Sequence, residues 1–229
     1  MSDAINLIKQ VKQFLETEKC FGVTEIPFFE KTTPLEGISN TDKAAAITAL
    51  LNEFKDCRLC GLCETRTKLV FGQGCPNAEL MFIGEAPGFD EDQQGKPFVG
   101  AAGQLLTKII EAMKLRREDV YIANCLKCRP PGNRNPLPSE IATCKPILAR
   151  QIEIIQPKVI CTLGKFAAHA MLNTEEPITR LRGRFFERNG IKIMPTFHPA
   201  YLLRNPSDKK LVWQDMQQIM KELRLGVSC

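Results

Sequence analysis

Four short apolar runs, at 80–83 (Leu-Met-Phe-Ile), 120–123 (Val-Tyr-Ile-Ala), 159–163 (Val-Ile-Cys-Thr-Leu) and 191–196 (Ile-Lys-Ile-Met-Pro-Thr), punctuate the chain beyond about residue 57. Between them lie stretches whose apolar residues recur every three to four positions, at 100–113, 139–155 and 165–172. Strand-length runs alternating with amphipathic helices predict βαβ units, hence a mostly parallel sheet with right-handed crossovers. A last helical pattern, 211–223, closes the domain. The first fifty residues read differently. Residues 4–18 place Ile5, Ile8, Val11, Phe14 and Leu15 on one helical face, and 22–40, with Pro27, Pro34 and Gly37, form an irregular connector. A second helix over 42–55, capped by Asn40 or Thr41, carries Ile47, Leu50, Leu51 and Phe54. The chain thus divides into a helical extension with linker, 1–56, and an α/β domain, 57–229.

In a parallel α/β sheet, ligands bind in the crevice beyond the carboxyl ends of the strands. The run at 80–83 ends in Gly84-Glu85-Ala86-Pro87-Gly88, a tight turn with little side-chain bulk, where backbone amides can approach a flat or anionic ligand. Glu85, Asp90, Glu91 and Asp92 supply candidate bases, and Phe98 a candidate stacking face. Asn124 follows the second run and His198 the fourth, so topology gathers residues far apart in sequence on one rim. Carboxylates, an aromatic ring, an amide and an imidazole suit chemistry on a planar polar ligand.

Composition narrows the setting. A hydrophobic fraction of 44% and a charged fraction of 25% are those of an ordinary globular protein. No apolar stretch is long enough to span a membrane, and residues 1–9 lack the basic start and apolar core of a signal peptide, so the protein is expected to be cytoplasmic. The net charge of +5 is compatible with a polyanionic partner. Ten cysteines in a reducing compartment point to metal ligation. Cys57, Cys60 and Cys63 make C-x2-C-x2-C, with Cys128 and Cys144 far downstream, a soft donor set that suits a [4Fe–4S] cluster or zinc. Spacing alone leaves Cys63, Cys75 and Cys125 in competition as ligands.

The ordered set GEAPG (84–88), Glu91-Asp92, GKPFVG (95–100), Asn124, KCRPP (127–131), Asn133-Arg134, Arg182-Gly183-Arg184 and HPAYLLR (198–204) resembles the family 4 uracil-DNA glycosylases, the iron–sulfur branch of their superfamily. The match runs from about residue 57 to 223. The resemblance implies a three-layer α/β/α sandwich on a central four-stranded parallel sheet, and hydrolysis of the N-glycosidic bond of deoxyuridine; no lysine has the sequence context of a nucleophile, so no lyase step on the abasic product is expected. It implies a [4Fe–4S] cluster held by Cys57, Cys60, Cys128 and Cys144. The expected partner is uracil-containing DNA, single- or double-stranded, met by a monomer with no obligate protein partner and no membrane.

Roles carried over by the resemblance are equally specific. Phe98 stacks on the base, Asn124 reads its edge, and Ala86 and Asn133 line the pocket. His198 donates to uracil O2, and Glu85, then Glu91, is the candidate for orienting water; the better-known branch carries its water-binding aspartate where this chain has Ala86. Leu202 or Leu203 enters the vacated base stack, while Arg204, Arg182 and Arg184 hold phosphates. The covalently trapping branch has an inserted basic loop with a histidine; here 132–136 is short and carries none, which implies turnover. The alternative expectation is an inactive DNA-binding or redox protein on the same scaffold.

Overall fold

The computed structural model describes residues 40–225; the expected helix at 4–18 and most of the connector lie outside them. Helices α1 (Asn40–Phe54), α2 (Phe89–Gln94), α3 (Ala101–Ala112), α4 (Pro138–Ile155), α5 (Lys165–Leu172), α6 (Ile178–Leu181), α7 (Pro199–Arg204) and α8 (Lys209–Glu222) surround one sheet. Its strands are β1 (Gln73–Gly74), β2 (Leu80–Gly84), β3 (Tyr121–Asn124), β4 (Val159–Leu163), β5 (Phe186–Arg188) and β6 (Ile191–Thr196), in the order β1-β3-β2-β4-β6-β5. The inner four pair in parallel; β1 and β5 add antiparallel edges. The expected α/β architecture is present, enlarged from four strands to six.

Burial explains the apolar runs. Every residue of β2, β3 and β4 is buried, as a strand covered on both faces requires. Leu80, Phe82 and Ile122 face α3, α7 and α8 through Leu106, Ile110, Leu202, Val212 and Met216. Met81, Ile83 and Ala123 face α4 and α5 through Leu148, Ile155 and Ala167. Two helical layers therefore sandwich the sheet. A third cluster, with Leu50, Leu62, Phe71, Leu126 and Ile147, joins α1 and α4 to the cysteine-bearing segment. α1, assigned from sequence to the extension of residues 1–56, packs into this body: Leu50 is 1% exposed, Lys43 Nζ donates to the Ile155 carbonyl at 2.9 Å, and Glu53 pairs with Arg150. No described helix is long and apolar enough to cross a membrane.

One close approach fixes α3 against the turn that precedes it. A Cβ built on Gly103 would lie 2.0 Å from the carbonyl carbon and oxygen of Phe98, so only glycine lets the helix seat there. The obstruction is backbone, which cannot step aside as a flexible side chain does. Gly103→Ala is expected to cost about 3 kcal/mol or more, the upper range for overpacking a rigid site, measured as a lower denaturation midpoint at unchanged slope.

Candidate active site

The carboxyl ends of β2, β3 and β6 open into one cleft of about 480 Å³. Glu85, Ala86, Glu91, Phe98, Asn124, Asn133, His198 and Arg204 all line it, so eight of the site residues proposed from sequence are brought together. β2 and β3 end in register, Gly84 opposite Asn124. A Cβ on Gly84 would come within 2.4 Å of Asn124 Oδ1 and 2.5 Å of the Phe98 ring. The missing side chain is what lets the amide and the aromatic ring meet at the cleft floor.

Asn124 is 1% exposed, and its Oδ1 is buried without a hydrogen-bond partner among the described residues. An acceptor left so costs about 1–3 kcal/mol, which a ligand N–H in the cleft would recover. Its backbone is firmly held. The Asn124 carbonyl accepts from Lys127 Nζ at 2.8 Å, and Lys127, itself fully buried, also donates to Gln151 Oε1 at 2.6 Å. Gln151 in turn donates to the Phe71 carbonyl and the Tyr121 hydroxyl. Burial pushes the Lys127 ammonium down to about 8.

Phe98 has φ +51°, an unusual backbone for a bulky residue, and the surroundings hold it there. On one side Arg117 donates to the Pro97 carbonyl at 2.5 Å and to Thr107 Oγ1. On the other, Glu91 Oε1 accepts from the amides of Val99 and Gly100 at 2.8 and 2.9 Å, and its Oε2 accepts from Gly88 at 3.1 Å. Glu91 is thus a clamp across the loop, both of its oxygens committed to backbone amides. Glu85, half-buried, carries no such bonds among the described residues, and burial pushes its carboxyl up.

His198 faces Phe98 with ring centroids 5.6 Å apart. It caps α7: its Nδ1 accepts from the Ala200 amide at 3.1 Å. That bond assigns the neutral ring's proton to Nε2. Burial pushes the imidazole down to about 4, aided by Arg204 and opposed by Glu91, so it is neutral at pH 7.

The remaining expectations separate. Leu202 is 1% exposed and belongs to the core, whereas Leu203, its neighbour on α7, is 45% exposed. Arg182, expected on phosphates, is instead a strut within the fold. It pairs with buried Asp215, donates to the Leu211 carbonyl at 2.7 Å and lies over the Phe197 ring, while Thr196 donates to the same carboxylate. Arg184 is exposed, stacks on Phe186 and approaches Glu176 at 3.9 Å, outside the cleft lining. Asn133 is exposed at the rim and accepts from Arg129 at 2.7 Å. Sequence reasoning gave no role to Arg134 and Tyr201, which also line the cleft. Both sit inside the recognised segments, and Arg134 is anchored by a bidentate pair with Glu140. Arg117 lay outside every motif and left no sequence signal.

Cys57, Cys60, Cys128 and Cys144 gather in the third core cluster. Cys128 and Cys144 are buried within it, and Cys57 and Cys60 pack against it. Arg66 Nη1 donates to Cys128 Sγ at 3.1 Å, and the Lys127 amide to Cys144 Sγ at 3.4 Å. Sulfurs accepting N–H bonds are suited to carrying negative charge, so this donor set fits an iron–sulfur cluster chemically. Among the described residues no group of three or more His, Cys, Asp or Glu is arranged for a single metal ion. Cys125 and Cys75 pack elsewhere, in the second core cluster.

A doubly wound sheet with a cleft at its strand ends, lined by an amide, an aromatic ring and an imidazole, defines a class of ligand-binding α/β protein. The family model for the uracil DNA glycosylase superfamily matches residues 71–217. The chain is 46% identical over 178 residues to a type-4 uracil-DNA glycosylase of Archaeoglobus fulgidus, covering 74% of this chain and 89% of that one. Type-4 uracil-DNA glycosylases of Saccharolobus solfataricus and Thermotoga maritima are each 46% identical, over 76% and 72% of this chain and 85% and 88% of theirs. The chain belongs to the uracil DNA glycosylase superfamily, among its type-4 members.

The Glu91 clamp and Glu85 are separable by kinetics. In Glu91→Gln the amide nitrogen must face a backbone N–H, so the Phe98 turn loosens; half-saturating substrate is expected to rise about tenfold at a nearly unchanged saturating rate. Glu85→Gln is expected to do the reverse. Loss of the saturating rate in Glu91→Gln, with binding intact, would assign the water to Glu91.

Proposed function

We propose that this chain is a monofunctional uracil-DNA glycosylase that hydrolyses the N-glycosidic bond of deoxyuridine, leaving an abasic site for base-excision repair. The observation that carries the reading is the buried, unpartnered Asn124 Oδ1 between Phe98 and His198. Uracil offers an N3–H to that oxygen and an O4 acceptor to the amide NH2; cytosine presents an N4 donor and no N3–H, and leaves both unmet. Stacking on Phe98 binds any base, about 1–3 kcal/mol each. Discrimination therefore falls to Asn124.

The target base lies inside the stack, so the nucleotide must be turned out, at a cost of a few kcal/mol. Leu203, exposed on α7 immediately beside the cleft-lining Arg204, is the wedge of this proposal; Leu202 is buried in the core. Arg204 holds a phosphate next to it. Departure of uracil leaves negative charge on O2 and cationic character on the sugar. His198, neutral and with its proton on Nε2, donates to O2 as that charge grows. Glu85 orients the water that attacks C1′, accepts its proton and offsets the sugar's charge. The enzyme of this proposal works as a monomer in the cytoplasm, on single- or double-stranded DNA.

The cofactor of this proposal is a [4Fe–4S] cluster held by Cys57, Cys60, Cys128 and Cys144. When bound, it would cross-link the segment before β1, the loop after β3 and α4, a structural role. Arg66 and the Lys127 amide would hydrogen-bond its thiolates.

The test is single-turnover cleavage of matched oligonucleotides with U opposite G, U opposite A, unpaired U, and C, across pH. Alkali-labile breaks at U and none at C are expected; none at U removes the reading. His198→Gln should slow the reaction about 10²–10³-fold. Because His198 is already neutral down to about pH 4, the acid limb belongs to Glu85. Protonation of a carboxylate whose pKa is raised begins above the ordinary Glu value, so the rate falls with pH there, and Glu85→Gln should flatten the limb while lowering the rate. A limb that persists in Glu85→Gln would transfer the titration to His198.

Purified protein should be brown, with iron and sulfide each at roughly four per chain. Cys128→Ser should lose iron and melt at lower temperature, whereas Cys125→Ser should keep its iron. Equal iron loss in both would overturn the ligand assignment.

A further inference from the structure

We infer that the groove between α3 and α8 is a second nucleic-acid subsite, one that stacks an unpaired base of the DNA strand outside the catalytic cleft; this rests on the glycosylase reading above. The groove, about 190 Å³, is lined by Leu105, Ile109, Leu202, Val212, Met216 and Trp213. Trp213 is the sole tryptophan of the chain and is 37% exposed, although a ring of that size on an amphipathic helix has core positions within reach at Val212 and Met216. Lys108 and Lys209 stand on the rim, and neither makes an ion pair among the described residues. No acidic residue lines the groove.

An exposed aromatic face with two unpaired cations and no anion matches a nucleotide: the ring takes the base and the lysines the phosphates. Position supports the same occupant. Leu202 lines the groove from within while Leu203, the next residue, projects from the same short helix as the wedge, so strand leaving the cleft over α7 runs onto α8. An apolar protein partner would gain nothing from the lysine rim, which burial would leave uncompensated.

The tryptophan is its own reporter. Titrating the full chain with a uracil-free single-stranded oligonucleotide should quench Trp213 emission, with a midpoint that rises with salt; a duplex of the same sequence should quench less. By anisotropy of labelled DNA, Trp213→Ala should bind about tenfold more weakly and Trp213→Phe should recover most of that loss. Lys108→Glu with Lys209→Glu should weaken binding and flatten its salt dependence. Binding seen by anisotropy with unchanged Trp213 emission overturns the subsite and leaves the glycosylase reading standing. Quenching by DNA without uracil excision upholds the subsite and removes that reading. Quenching by apolar peptides and not by DNA overturns it in favour of a protein partner.

Discussion

Everything at the candidate site depends on how closely β2 and β3 finish beside one another. Gly84 and Asn124 are register partners, and the ladder continues past them through the Cys125 and Leu126 amides, which donate to the Gly84 and Glu85 carbonyls at 2.9 and 3.0 Å. With no Cβ at 84, Asn124 and Phe98 converge on the same few ångströms of space. A methyl group there would push both outward. Polar recognition and stacking are therefore one constraint: the amide can have a fixed direction only because the ring and the strand end already surround it.

Two buried polar networks hold the surroundings still. Lys127 joins the Asn124 carbonyl to Gln151 on α4, and its own amide bonds Cys144, so the strand end that presents the amide is tied to the cysteine cluster through one residue. On the opposite side, Asp215 of α8 receives Arg182 and Thr196 and anchors the approach to His198. Removing one partner from such a set strands a buried charge, costing about 3–5 kcal/mol. These networks explain why the chain carries buried ions in a fold whose core is otherwise apolar. They keep the strand ends in place.

The inner sheet was legible because each buried strand is a dense apolar run stopped by glycine, asparagine or proline. The edges were not: Gln73–Gly74 and Phe186–Arg188 are too short to show a period, and pairing rather than composition makes them strands. Site membership was legible where topology gathers strand ends, as for Glu85, Asn124 and His198. Roles that depend on distant partners were hidden. Arg182 reads as a free cation until Asp215, 33 residues later, is folded against it. Glu91 reads as a base until three backbone amides converge on it. Leu202 and Leu203 are equivalent in sequence, and only the docking of α7 decides which is buried.

The electrostatic economy of the proposed mechanism follows from keeping His198 neutral. A protonated imidazole would attract the uracil anion strongly, but it would also pay desolvation in the free enzyme and hold the product after cleavage. A neutral Nε2–H bonds a carbonyl modestly in the ground state and an oxyanion much more strongly, since hydrogen bonds to a charged partner are roughly twice as strong as neutral ones. The difference appears only as charge moves onto O2, and interactions of that kind lower the barrier instead of merely tightening binding. The same burial that depresses the imidazole raises Glu85, so one desolvated cleft favours the neutral form of both groups. Only the carboxylate must then be ionised at working pH. Its half-exposed position in the cleft lining is what permits it.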